Sequence, residues 1–398
     1  MPAEPVPPRR IREIFVTFLA LGLTSFGGPA AHLGYFHHQF VVRRRWLSEQ
    51  DYADLVALCQ FLPGPASSQV GFAIGMMRGG GWGAAAAWAA FTLPSAFVLV
   101  AFALSASLLD GPVSQGIIHG LKVAAVAIVA HAVSGMARNL CPDRQRAGIA
   151  LVAVLLVILA GGALSQVSAM VIGAVAGLLF CRKHNGTDPG HSRLSVSDRA
   201  GRWAAFFFTV LLLGLPLLAW LAPSNLTEMM DAFYRTGALV FGGGHVILPL
   251  LEAEVVQTGW ITPDQFLTGY GAAQAIPGPL FTFSAYLGAV LEPTAPWLWA
   301  AMALVMIFLP GLLLLVAVLP RWNNFRRWES AQALMRGANA AVVGILGAAL
   351  YQPVWTSAIL GPQDFALALT GFLLLSVWKL SAWAVVIVMA GGGLLIGA

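Results

Sequence analysis

Charged side chains are scarce. Of 398 residues, 22 are Lys or Arg and 17 are Asp or Glu, so 10% carry charge, against about 25% in a soluble domain. That leaves too little polar sequence to coat a water-soluble core of this size. Cysteine is also rare: Cys59, Cys141 and Cys181 stand far apart without CxxC spacing. This excludes a disulfide framework and a cysteine metal site. There is no HExxH, no nucleophile elbow and no phosphate-binding Gly-rich loop. Most acidic residues lie in the loops, so an intramembrane enzyme is the remote alternative. No cofactor or metal is expected. The net charge of +5 is spread in short basic clusters between apolar runs, which gives no footprint for nucleic acid.

Apolar sequence is abundant, at 58% of the chain. Thirteen apolar segments lie between residues 14 and 397, several of them only marginally long enough to cross about 30 Å of hydrocarbon. The expected fold is an all-α polytopic membrane protein. The N-terminal basic stretch and apolar run resemble a signal peptide but lack a clean A-x-A site, and they belong to a repeat. The segment is therefore expected to be retained. Residues 182–202 are polar and rich in Gly, Ser and charge, as in a solvated linker.

The linker separates two copies of one pattern. TSFGGPAAHL (24–33) matches LVFGGGHVIL (239–248), and RRWLSEQDY (44–52) matches TGWITPDQF (258–266). QFLPGP (60–65) matches QAIPGP (274–279), LPSAFVLV (93–100) matches LPGLLLLV (309–316), and GLKVAAV (120–126) matches GANAAVV (337–343). All five pairs keep an offset of 214–217 residues. Basic clusters of one copy (Arg9, Arg10, Arg12; Arg43–Arg45; Arg78; Arg138, Arg144, Arg146) face matching loops of the other that have no Lys or Arg. The second copy is basic instead at Arg321, Arg326, Arg327 and Arg336. Cytoplasmic loops collect Lys and Arg, so the copies are expected to be inverted, an architecture common among secondary transporters. The expected organisation is a first repeat over 1–181, a cytoplasmic linker over 182–202, a connecting helix over 203–221 and a second repeat over 222–398. With 14–42 and 48–77 as hairpins that enter and return, 20 of the 22 Lys and Arg lie inside. The N-terminus is then cytoplasmic and Ala398 periplasmic.

Four backbone breaks interrupt the apolar runs: Gly27–Gly28–Pro29, Pro63–Gly64–Pro65, Gly242–Gly243–Gly244 and Pro277–Gly278–Pro279. Broken helices in a membrane are tolerated where they are buried in protein or line a cavity. A helix that starts after a break points N–H groups and a positive dipole end at what lies there, and glycine allows close approach. The cluster suits an anion. Polar residues flank it: Gln60, Ser67, Ser68 and Gln69 in one copy, and Gln274, Thr282 and Ser284 in the other. Each also suits helix–helix hydrogen bonding. Two cations sit within apolar runs, Lys122 and Arg235; Asn339 fills the place of Lys122 in the second copy. Snorkelling accounts for Lys122 equally well, and pairing with Glu228 or Asp231 for Arg235. His32, His245, Glu252 and Glu254 are candidates for proton coupling. Arg78 is expected in a loop.

FGGP at 26–29, Trp46 with its following acidic helix, LPGP at 62–65, FGGG at 241–244 and IPGP at 276–279 resemble the two-domain form of the chromate ion transporter family over nearly the whole chain. The resemblance implies a secondary transporter of the inner membrane that exports chromate and gives resistance to it, with sulfate as the chemical analogue. A sulfate, molybdate or related oxyanion carrier is the alternative. The expected partners are such an oxyanion, membrane lipid and, as an assembly, a second copy of the chain.

Overall fold

The computed structural model describes residues 8–106, 111–182, 197–322 and 328–396. Most of the 182–202 linker, Arg326, Arg327 and Ala398 fall outside them. The described residues contain helices and no strand. Six helices are long and apolar enough to cross a membrane, and the protein is an all-α, multi-pass membrane protein.

In chain order the first half runs α1 (Pro8–Thr24), α2 (Gly28–His37, continued in a wider turn to Arg43), α3 (Glu49–Phe61), α4 (Ala66–Ala106), α5 (Pro112–Leu140), α6 (Arg144–Ala160) and α7 (Gly162–Phe180). Then α8 (Asp198–Leu221) leads into α9 (Asn225–Leu239), α10 (Ile247–Val255), α11 (Pro263–Ala275), α12 (Phe283–Leu291), α13 (Pro296–Val318), α14 (Glu329–Ala349), α15 (Pro362–Ser376) and α16 (Ala382–Ile396). Local chemistry starts many of these helices. Ser48, Asp143, Ser197, Ser224 and Thr262 each accept a first-turn amide at the head of α3, α6, α8, α9 and α11, satisfying donors a helix start leaves open.

The element α4 folds back on itself at Gly79–Gly80, where the backbone leaves helical geometry. A side chain at Gly75 would run into Gly83 and Ala87, so the two limbs lie antiparallel. Only the second limb is a crossing helix. In the second half the same turn is the loop between α12 and α13, where Gly288 abuts Trp299 and Ala300.

Pairs of short helices form the hairpins on either side of each break. Phe18 of α1 meets Phe36 and Phe40 beyond the break (ring centroids 5.7 and 5.0 Å), so α2 returns along α1. Arg44 bonds Glu13 at 2.7 Å, and Trp46 lies under both Arg44 and Arg78 (5.2 and 4.7 Å). Residues 13, 44–46 and 78 therefore gather at one end of the molecule. Arg78 belongs to the last helical turn before the α4 fold, not to a loop, because the indole offers its cation a face to stack on. At the opposite end His119 bonds Asp364 at 2.6 Å and Lys122 bonds Asp264 at 3.0 Å.

The last helices are exchanged between halves. α5 packs against α15 and α16, and α14 packs against α6 and α7. Small residues allow this. Gly120 of α5 presses on Met389 and Ala390 of α16, and Gly393 presses back on Gly116 and Gly120. Gly337 of α14 meets Gly173 and Gly177 of α7 in the same way. Such close backbone approach is how helices associate where no water drives them together. α8 is the least buried of the spanning helices.

Candidate functional site

The four breaks fall into two kinds. At the PGP breaks the backbone amides are already bonded across the halves. Gly64 N–H donates to the carbonyl of Val240 at 2.7 Å, and Gly278 N–H donates to the carbonyl of Ser25 at 2.9 Å. Val240 and Ser25 each lie just before the FGG break of the other half. Both glycines hold positive φ (113° and 108°), a region L side chains avoid. A Cβ at Gly64 would lie 2.9 Å from the Cα of Gly311, and one at Gly278 would lie 2.7 Å from Oγ of Ser95. Gln69 adds a brace, donating Nε2 to the carbonyls of Pro63 and Gly311 at 2.9 Å each. These breaks tie one half to the other.

The FGG breaks do something else. Gly27 and Gly28 (φ 100° and 76°) turn the chain into α2, and Gly242 and Gly243 (φ 76° and 142°) turn it into the short turn Gly244–Val246 that opens α10. Neither start has a side-chain cap. Pro29 has no N–H and Val246 N–H donates to the Gly243 carbonyl at 3.3 Å; the other first-turn N–H groups have no acceptor within the helix, and the positive end of each helix is uncovered. Pro29 and Gly244 occupy matching positions, and a Cβ at Gly244 would lie 3.2 Å from the Pro29 ring. The two helix starts thus meet where the halves meet.

A cavity of ≈ 460 Å³ opens at this junction. Gly27, Pro29 and Ala30 line it from one half, and Gly242, Gly243, Gly244 and His245 from the other. Gln60, Gly64, Leu62 and Cys59 form a wall from α3 and its break, and Met136, Asn139 and Leu140 form another from the end of α5. Asn339 of α14 closes it, with Oδ1 buried and unbonded among the described residues. Gln60 and Asn139 are solvent-exposed, so the cavity opens toward the end of α5, where Arg138, Arg144 and Arg146 lie. No Lys or Arg lines it. Its polar lining consists of backbone amides, three side-chain amides and one imidazole. This set can hydrogen-bond an anion's oxygens without a counter-charge.

Of the residues singled out in the sequence, Gly27, Gln60, Gly64, Gly242, Gly243, Gly244, His245 and Asn339 line this cavity. The structure places the others elsewhere. Gly28 is in the adjoining turn, and Pro63, Pro65, Pro277, Gly278 and Pro279 shape the braced breaks. Ser67 bonds His32 at 3.3 Å, and His32 also reaches the Ser25 carbonyl at 3.1 Å. Thr282 bonds the Pro279 carbonyl at 2.7 Å, which is a local turn bond. Lys122 is held by Asp264 at the far end. Arg235 is held by both Asp231 and Glu254 at 3.0 Å, and Glu252 accepts from Gln257 at 2.8 Å. Gln274 has Nε2 buried without a bond of its own. Asn139 is a lining residue that the sequence did not mark. It stands beside Arg138 at a helix end and looks like a loop residue until α5 is seen to end at the cavity. Among the described residues no group of His, Cys, Asp or Glu could hold a metal ion.

A sequence profile described as "Chromate transporter" matches residues 12–180 and again residues 227–396. The chain is 28% identical over 387 residues to the "Probable chromate transport protein" of Synechococcus elongatus, covering 94% of this chain and 91% of that one. It is 26% identical over 405 residues to the "Chromate transport protein" of Pseudomonas aeruginosa, covering 97% and 92%. A shorter protein of Bacillus subtilis, the "Uncharacterized transporter YwrA", is 31% identical over 174 residues, covering 42% of this chain and 94% of its own length. No solved structure matches.

Proposed function

The chain belongs to the chromate transporter family, and from that premise we propose that it exports chromate across the inner membrane by alternating access to the cavity between its halves, so giving chromate resistance. Membership of this family points to transport and away from an enzyme. The observation that carries the reading is the meeting of two uncapped helix starts, one from each half, at a single cavity. A tetrahedral dianion fits such a pair of positive ends.

Direction follows from charge. Basic residues crowd the end onto which the cavity opens, and that end faces the cytoplasm in the usual bias of membrane proteins. Residues 1–181 and 222–398 then act as inverted transport repeats, with 182–202 as a cytoplasmic linker and 203–221 as the connecting helix. The cavity is open inward. Its counterpart on the far side is closed by the Lys122–Asp264 and His119–Asp364 pairs. A dianion leaving a negative-inside cell gains about 2.3 kcal/mol per charge per 100 mV, so the membrane potential alone can drive export. Glu254, which shares Arg235 with Asp231, and Glu252 two residues before it are the far-end carboxylates that would couple a proton to that cycle.

Everted membrane vesicles test the reading. They should accumulate radiolabelled chromate when the protein is present, with unlabelled sulfate as competitor. Asn339→Leu should lower uptake at equal protein level. Uptake that is independent of the protein, or unaffected by Asn339→Leu together with Gly243→Val, would remove the site from the cavity. Sulfate accumulating in preference to chromate would make the protein a carrier of that anion instead.

A further inference from the structure

His245 projects into the cavity from the start of α10, and its ring is held from behind. Nδ1 lies 3.0 Å from the hydroxyl of Tyr270 on α11. Tyr270 is completely buried, and its ring packs edge-on against Phe283 at 5.8 Å. A buried phenol must place its proton on an acceptor. The partner within reach of its hydroxyl is Nδ1 of His245. A neutral imidazole that accepts at Nδ1 carries its hydrogen on Nε2.

We propose that Tyr270 is a positioning residue that fixes His245 as a neutral Nε2–H donor to the tetrahedral oxyanion in the cavity. The proposal rests on the reading of that cavity as the substrate site. The chain of bonds runs from the Tyr270 hydroxyl to Nδ1, and from Nε2–H to an anion oxygen. It adds a directed donor to the backbone amides without adding a charge. It also belongs to one half only, because Ala30 and Val56 stand in the first half where His245 and Tyr270 stand in the second. Sequence reading treated His245 as a proton carrier; the fixed tautomer makes it a hydrogen-bond donor.

Chromate uptake into everted vesicles, with variants matched for membrane level, tests this through KM. Gln sets its amide N–H where Nε2 stands, and Asn sets it where Nδ1 stands. His245→Gln should keep KM within about threefold of the parent, while His245→Asn should raise it about tenfold or more, the loss of one hydrogen bond to a charged group. Tyr270→Phe should raise KM about fivefold with Vmax within about twofold, and should add nothing in the His245→Gln background, where no tautomer remains to be fixed. Equal KM for His245→Gln and His245→Asn, or the same Tyr270→Phe effect in both backgrounds, would overturn the proposal and leave Tyr270 a packing residue. Asn339→Leu separates this failure from that of the site: if it raises KM while the His245 variants do not, the cavity stands and the histidine falls. If neither changes KM, the cavity itself is not the site.

Discussion

Trp46 and Trp260 occupy matching places after the second helix of each half, yet their neighbours differ. Trp46 lies between two arginines, Arg44 and Arg78. Where Arg78 stands in the first half, the second has Glu292. The same contrast recurs deeper. His119 pairs with Asp364 at the far end, whereas the matching residue Arg336 lies near Arg146 and keeps Nε and Nη2 buried without a bond among the described residues. Lys122 is tied to Asp264, while Asn339, its counterpart, lines the open cavity. The backbones follow one plan and the side chains do not. In the function proposed above, the shared plan supplies two routes to one central site. Charge makes the two ends unequal: the cavity lies toward the basic end, and the cations of the other end are held in ion pairs.

The largest effect is expected at the braced breaks. Gly64→Ala and Gly278→Ala should each abolish most chromate uptake while the protein still inserts, since a side chain at these φ values costs about 1–2 kcal/mol before any clash. The two should then part company. The Gly278 clash is with a side chain, so Ser95→Gly should restore part of the uptake. Gly64 meets the backbone of Gly311, and no side-chain change should rescue it. Rescue of both, or of neither, would break the comparison.

Next comes the far-end closure. Lys122→Cys with Asp264→Cys, joined in the membrane by a thiol-specific cross-linker with a reducible spacer because the two backbones stand too far apart for a direct disulfide, should stop uptake, and reductant should restore it. Full transport by the cross-linked protein would show that the pair does not open during the cycle.

Arg235 offers a third contrast, because its cluster has no equivalent in the first half: Ala20 fills its place. Arg235→Gln leaves Asp231 and Glu254 facing each other without a cation and should lower both yield and uptake. Breaking a buried pair costs about 3–5 kcal/mol, less here because the Arg235 side chain is 41% exposed. Adding Asp231→Asn should recover yield. No recovery would mean that the arginine, and not charge balance, is what matters.

The smallest effect should be equal in the two halves. Ser48 and Thr262 are matching N-caps, and replacing either by Ala should cost about 1 kcal/mol, read as similar small drops in melting temperature with uptake unchanged. Unequal drops would show that the halves differ in local stability as well as in charge.

Much of this was legible without the fold. Composition required a membrane protein, because 10% charge cannot solvate a surface of this size. The register of the five marker pairs revealed two copies, and Gly and Pro located the breaks, because those residues act on the backbone where they stand. What the breaks do was not legible. FGG and PGP look alike as helix breakers, but the FGG tips open uncapped helix starts at the cavity, while each PGP glycine amide is bonded to the opposite half. That distinction rests on contacts between distant residues, such as Gly64 with Val240, Gly278 with Ser25 and Gln69 with Gly311. Asn139 and Tyr270 were missed for the same reason. The first becomes a lining residue because α5 ends at the cavity, and the second meets His245 because the turn that opens α10 reaches α11. Local rules act over a helical turn or two, so the chain by itself determined its helices, its repeat and its breaks. Which break tip meets which, and which polar side chain then faces the cavity, was decided by the packing of one half into the other.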